Sequence, residues 1–120
     1  QYYPKFTWQA GVTTKEFAEK HPDILRKIVA VHRQAVEFVY HNREEAMQIY
    51  AKVWNVSEDA ARAILPKYYA WEHWSRGDFS KEGLAAVNEG LILVGELQAP
   101  FDWSRVIDQS FLDEDLRRPL

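Results

Sequence analysis

The stretch PDILRKIVAVHRQAVEFVYHN, residues 22–42, decides the class of this fold. Its apolar residues recur at spacings of three and four, which places them on one side of an α-helix. Pro22 suits the first turn of a helix, where its missing N–H is not needed, and Asp23 suits the positive end of the helix dipole. We therefore predict one long helix that begins at Pro22 and ends near Asn42. Its apolar positions are Ile24, Leu25, Ile28, Val29, Val31, Ala35, Val36, Phe38 and Val39.

The residues before this stretch predict a strand and a short helix. The segment from Phe6 to Val12 mixes aromatic and β-tolerant residues and is too short for a helix, so it reads as one short strand. Thr13 and Glu16 stand at the spacing of a capping box, in which each side chain satisfies the other residue's backbone N–H. A helix that runs through Lys20 follows from this pair.

The residues after the long helix predict two further helices. Asn42 with Glu45 repeats the capping spacing and starts a helix that ends at about Trp54. Ser57 caps the next helix, and Pro66 is expected to stop or kink it because proline removes a backbone donor. The inward positions of the helix after Asn42 are predicted to be Ala46, Met47, Ile49, Tyr50 and Val53.

The last third of the chain predicts an aromatic link and shorter helical pieces. The link covers Tyr68 to Phe79, and Ser80 is expected to cap the helix that follows it. Asp102 is expected to cap a short turn, and an acidic turn ends at Leu116. The expected fold is mainly α, with about five to six helices and one short N-terminal strand. At 120 residues the chain is expected to form a single domain, residues 1–120.

The composition limits the classes of function. With 47% apolar and 28% charged residues, the sequence is that of an ordinary globular protein. A net charge of −3 gives no field that would hold DNA or RNA, so we expect no nucleic-acid partner. Apolar runs are too short to predict a membrane span. The absence of cysteine excludes disulfides, thiolate metal sites and cysteine nucleophiles.

The ionisable residues do not predict catalysis or metal binding. No two of the four histidines stand at the i, i+4 spacing of a helical metal pair, so neither a metal nor another cofactor is expected. Glu72 and His73, between two tryptophans, are a conceivable acid and base. Adjacent residues point in different directions, however, and no third group is available to orient them. We therefore expect the tryptophans to anchor a loop and the protein not to be an enzyme.

Five tryptophans are many for a chain of this length. Aromatic side chains are enriched at protein interfaces, and they also bind sugars and cations. Because no polar constellation accompanies these residues, packing in a core or an interface is favoured over ligand binding. One interpretation of the chain is therefore a stand-alone helical protein-interaction module.

A second interpretation comes from four phrases, EFAEKHPDI (residues 16–24), SKEGL (residues 80–84), FDWSRVID (residues 101–108) and SFLDEDLR (residues 110–117). Their order resembles the C-terminal segment of solute-binding proteins of ABC importers, of the nitrate, sulfonate, taurine and thiamine-precursor type. The same resemblance reaches enzymes that make a thiamine pyrimidine precursor. Those enzymes use a cysteine-rich segment, which this cysteine-free chain does not have.

The resemblance implies a two-lobed α/β periplasmic binding protein of type II, of which this chain would be the helical C-terminal portion. Its partners would be a small-molecule ligand and an ABC permease, and its location the periplasm or cell envelope. Tyr3 and Trp8, next to the expected crossover between lobes, are the candidates to line the cleft, with hinge packing as their alternative role. Because Gln1 starts the sequence and no signal segment precedes it, a cut or processed chain is expected. Its uncovered apolar face predicts self-association into a homo-oligomer, or a swapped arrangement.

Overall fold

The computed structural model describes residues 10–120. Five α-helices follow one another: α1 (Lys15–Lys20), α2 (Pro22–His41), α3 (Arg43–Trp54), α4 (Glu58–Ala70) and α5 (Lys81–Leu93). Two single turns of 3-10 helix lie at Trp103–Arg105 and Glu114–Leu116. The mainly-α prediction is confirmed for the described residues, which contain no strand. Residues 6–9 of the predicted strand lie outside the described residues, and residues 10–12 are not in a strand.

Serine side chains start two of the helices as predicted. The Ser57 hydroxyl accepts a hydrogen bond from the backbone N–H of Ala60 at 3.2 Å, and this contact opens α4. At the start of α5, the hydroxyl of Ser80 accepts from the N–H of Gly83 at 2.9 Å. Each serine satisfies one of the four N–H groups that a helix start leaves without a partner.

Two predicted caps differ from the structure. The cap of α1 is Thr14 and not Thr13, because the Thr14 hydroxyl is the one that reaches the N–H of Phe17, at 3.1 Å. Asn42 does stand between α2 and α3, but it makes no side-chain cap bond to α3. Its amide instead donates to the carbonyl of Phe38 at 3.2 Å and so closes α2. An asparagine side chain can donate as well as accept, and spacing alone does not decide which it does.

Of the two outcomes predicted at Pro66, a stop or a kink, the stop is wrong, since α4 continues to Ala70. An internal proline costs a helix about 3 kcal/mol through a lost hydrogen bond and a clash with the preceding turn. The turn after Pro66 carries Tyr68 and Tyr69, and both pack against the hydrophobic core. Packing of these two rings offsets the cost of the proline and keeps the turn helical.

The chain divides into two compact units. Residues 30–76 form one, called here the α3–α4 unit, and the described residues 10–29 with 77–120 form the other, called the α5 unit. The boundary after Val29 falls within α2. In the α3–α4 unit, α3 packs on α4. The buried core there consists of Met47, Ala51, Ala61 and Leu65.

The inward side of α3 is only partly the predicted one. Ala46 and Met47 are buried as expected, and Tyr50 is half-buried. Ile49 and Val53, also predicted to point inward, are 48% and 71% exposed. These two residues are four apart and share a helix face, but it is not the face that Met47 and Ala51 present to α4. The helix therefore has a buried apolar stripe and a second, exposed one.

In the α5 unit, polar side chains hold the irregular segments in place by hydrogen bonds to backbone groups. The amide of Asn88 on α5 donates to the carbonyl of Phe101 at 3.0 Å. Its oxygen accepts from the N–H of Phe101 and from the indole N–H of Trp103, both at 3.1 Å. One residue of α5 thus fixes the segment that follows the helix, including the 3-10 turn whose predicted cap, Asp102, accepts from Ser104 at 3.1 Å.

The end of the chain is held by the same type of bond. The Arg117 guanidinium donates twice to the carbonyl of Leu112, from Nε at 3.1 Å and from Nη2 at 3.0 Å. Gln109 exchanges two hydrogen bonds with the backbone of Arg118, at 2.7 and 2.9 Å. Leu112 and Leu116, in the same segment, are buried. Ordered structure here does not require a long helix.

Candidate functional site

The most distinctive feature of the described residues is a group of aromatic rings in the α3–α4 unit. A reversal at the end of α4 brings it together. Glu72 adopts a left-handed conformation with φ 47°. The N–H of Glu72 then donates to the carbonyl of Tyr69 at 3.2 Å, and that of His73 donates to the carbonyl of Tyr68 at 3.0 Å. This pair of bonds is a Schellman motif, and it turns the chain back so that Trp74 meets the last turn of α4.

Trp74 is at the centre of the ring contacts. Its ring centroid lies 5.7 Å from that of Tyr68 in an edge-on arrangement and 5.5 Å from that of Tyr69. The ring of Tyr40, on α2, lies 6.1 Å from Trp74, also edge-on. His73 stacks on Tyr68 with centroids 4.6 Å apart. Tilted and edge-on contacts of this kind are the favoured geometry of aromatic pairs.

Tyrosine hydroxyls connect this cluster to α2. The hydroxyl of Tyr40 donates to the carbonyl of Trp74 at 3.2 Å, and that of Tyr69 donates to the carbonyl of Val39 at 3.1 Å. Burial raises the pKa of both tyrosines above the usual value for a phenol. Both hydroxyls therefore stay protonated at neutral pH and act as donors.

Two arginines flank the cluster. The guanidinium of Arg43 lies over the ring of Tyr69 at 4.6 Å from its centroid, and that of Arg76 lies over the ring of Tyr40 at 5.1 Å. Arg76 also forms an ion pair with Glu37. The hydrogen bond from Arg76 lowers the pKa of Glu37 below the usual value for a carboxyl group. Both guanidinium groups therefore contact side chains of the α3–α4 unit itself.

Beside the rings lies an apolar groove with a volume of about 190 Å³. No charged side chain lines it. Val53 and Trp54, which help to form it, are 71% and 67% exposed. Exposed apolar residues next to a concave surface mark a place where another apolar group can bind. The lining residues are Val39, Ala46, Ile49, Tyr50, Val53, Trp54, Leu65, Tyr69 and Trp74.

The residues proposed from the sequence have different outcomes. Tyr3 and Trp8, the candidates to line a cleft, lie outside the described residues. Glu72 and His73, considered as an acid and a base, form the end of α4 instead, where Glu72 supplies the left-handed residue and His73 a stacked ring. The expected anchoring role of the tryptophans is confirmed for Trp74, whereas Trp71 is 55% exposed.

Sequence reasoning missed the groove because it placed Ile49 and Val53 in the core. The available signal was that α3 carries more apolar residues than one helix–helix contact can cover. In residues 10–120, no group of three or more acidic or histidine side chains is arranged to hold a metal ion. None of the described helices has the length and apolar character to cross a membrane.

The chain was compared with family models, curated proteins and solved structures, and none of them matches it.

Proposed function

We propose that this chain is the helical C-terminal portion of a solute-binding protein that delivers a small molecule to an ABC importer. The four phrases at residues 16–24, 80–84, 101–108 and 110–117 support the proposal, since they resemble that family in their order along the chain. In this role the protein binds its ligand by hinge closure and docks on a permease, and no bond is made or broken.

The observation that carries the proposal is the exposure of apolar residues on regular helices. Ile28 and Val31 on α2 are exposed, as are Ile49 and Val53 on α3. Helices with apolar faces of this kind cover a sheet or other helices in a layered protein. A binding-protein lobe would supply such a layer. The ligand class would be a nitrate, a sulfonate or a thiamine pyrimidine precursor, and the location would be the periplasm or cell envelope.

The first test is the reading frame that encodes residue 1, together with the intact mass of its product. A frame that continues upstream by roughly a lobe and a half, on ordinary domain sizes, supports the proposal. The full product is then titrated calorimetrically with nitrate, taurine and a thiamine pyrimidine. Saturable binding of one of these, weakened by Trp8→Ala and Tyr3→Ala but not by Trp71→Ala, is the expected result. Absence of binding to all three would contradict it.

A helical protein-interaction module is the second candidate. The exposure of Val53 and Trp54 beside the apolar groove favours it, because both residues are available to a protein partner. A reading frame that starts immediately before Gln1 would support this function over transport.

A further inference from the structure

Trp71 and Trp54 stand at comparable positions, each at the end of a helix of the α3–α4 unit. Their indoles are 55% and 67% exposed. The residue after Trp71 is Glu72, with φ 47°, and the residue after Trp54 is Asn55, with φ 52°. Asparagine tolerates this left-handed backbone, whereas a glutamate is strained in it. The two helix ends therefore differ in the carboxylate that follows Trp71, which is present although it does not suit the backbone.

The carboxylate of Glu72 has no partner among residues 10–120. Glu72 is exposed, and its side chain forms neither a hydrogen bond nor an ion pair with the described residues. Glycine would adopt the same turn without strain, and strained residues of this kind are concentrated where a side chain contacts a ligand. The C-terminal end of α4 adds a partial negative charge at the same place. This end of the helix therefore favours a bound cation.

The same unit already shows how a ring and a carboxylate together hold a guanidinium group. Arg76 lies over the ring of Tyr40, 5.1 Å from its centroid, and forms an ion pair with Glu37. In the described part of the chain, no arginine or lysine lies over the ring of Trp71. Indole is the aromatic group that attracts cations most strongly. Trp71 and Glu72 therefore offer the same two groups, a ring and a carboxylate, to a cation from outside the unit.

We infer that Trp71 and Glu72 bind an arginine side chain of a protein partner, with its guanidinium group on the indole and bonded to the carboxylate. A free small molecule fits less well, because such ligands bury most of their surface in a pocket. Trp71 is exposed and does not line the apolar groove. The inference goes beyond the proposed function, since it involves neither a transported ligand nor a permease. The two experiments can therefore fail independently.

Two-dimensional ¹H–¹⁵N NMR of the 120-residue chain tests this, because each tryptophan gives one indole N–H signal. The probe is a blocked Gly-Arg-Gly peptide, titrated to about 50 mM at constant ionic strength. The Trp71 signal should shift saturably, with a dissociation constant in the millimolar range, as expected for one exposed ion pair with one cation–π contact. The Trp54 signal is the internal control and should shift clearly less. A peptide with citrulline, which has the shape of arginine without its charge, should not shift the Trp71 signal.

Glu72→Asn is the decisive variant, because it gives the end of α4 the same residue as the end of α3. Asparagine suits the backbone, so the fold should be kept, while the dissociation constant should rise at least about threefold. Glu45→Gln, which removes an exposed carboxylate from α3, is the matched control and should change it by less than about 1.5-fold. Glu72→Gln repeats the test if Glu72→Asn alters the turn.

Four results would each overturn the inference. The first is a Trp71 signal that does not move with the arginine peptide, and the second is a Trp54 signal that moves as far. The third is an equal response to the citrulline peptide, which would show that the charge is not recognised. The fourth is a dissociation constant that removal of the Glu72 charge leaves unchanged.

Discussion

The two units of this protein are stabilised in different ways. The α3–α4 unit depends on buried aliphatic residues and on rings that meet around Trp74. The α5 unit contains one long helix of its own, and the segments after it are held by side chains that bond to backbone groups, most clearly by Asn88 and Arg117. Burial of aliphatic residues is non-directional and tolerates small shifts, whereas each hydrogen bond needs its own partner in place.

This difference also affects what each unit leaves exposed. Close packing of α3 on α4 uses one stripe of α3 and leaves Ile49 and Val53 on another. In the α5 unit, the segment after α5 returns to Asn88 and buries Leu112 and Leu116 in the same unit. The α5 unit also leaves large apolar residues exposed at the end of α5, up to 77%. The exposed residues of the α3–α4 unit lie beside an apolar groove, and this unit therefore presents a candidate binding surface.

Removal of a core side chain should have the largest effect. Leu65→Ala leaves a cavity in the packed core of the α3–α4 unit, and the free energy of unfolding should fall by about 3 kcal/mol. Urea unfolding followed by far-UV circular dichroism measures the loss. The adjacent, partly exposed Ile64 is the matched control, since Ile64→Ala should cost less than about 1 kcal/mol. Equal losses would show that packing against α3 does not stabilise the unit.

Removal of one amide should have the next largest effect, in the other unit. Asn88→Ala takes away the partner of Phe101 and of the Trp103 indole, and a loss of about 2 kcal/mol is expected because the freed groups are half-buried. Amide hydrogen exchange should show faster exchange at Phe101. Glu89→Ala, an exposed neighbour on α5, should change stability by less than about 0.5 kcal/mol. Unchanged exchange at Phe101 would mean that the amide does not hold this segment.

The smallest expected effect is a gain. Glu72 has φ 47°, a conformation that costs a residue with a side chain about 1 kcal/mol relative to glycine. Glu72→Gly should therefore raise the free energy of unfolding by about 0.5 to 1 kcal/mol, measured by thermal unfolding. Asn55, with φ 52°, is the control, because asparagine tolerates this conformation and Asn55→Gly should change stability less. A lower free energy of unfolding for Glu72→Gly would show that the glutamate side chain stabilises the fold by more than its left-handed backbone costs.

The helix boundaries could be predicted from the sequence because they depend on local chemistry. Pro22, Ser57 and Ser80 each start a helix as expected, since proline geometry and hydroxyl caps act within three residues. Local chemistry was ambiguous where two neighbouring residues could each cap the helix, as Thr13 and Thr14 could at the start of α1. It was misleading at Pro66, where packing of the following turn offsets a local cost.

For the candidate site, the sequence predicted which aromatic residues are involved but not how they contact one another. The sequence drew attention to the aromatic residues between Tyr68 and Trp74 and to their anchoring role. It did not predict which rings meet, since the contacts of Trp74 depend on the left-handed Glu72 and on Tyr40, 34 residues earlier in the chain. Such distant contacts are not a property of any local pattern.

The sequence by itself determined that this protein is mainly helical, where most of its helices begin, and which residues are apolar. Only the tertiary structure decided how those apolar residues are used. Met47 and Val53 have the same apolar character and both belong to α3, yet Met47 is buried and Val53 is exposed. The physical reason is that hydrophobic burial is non-directional: it requires apolar surface to leave water, and the position of α4 determines which side of α3 does so.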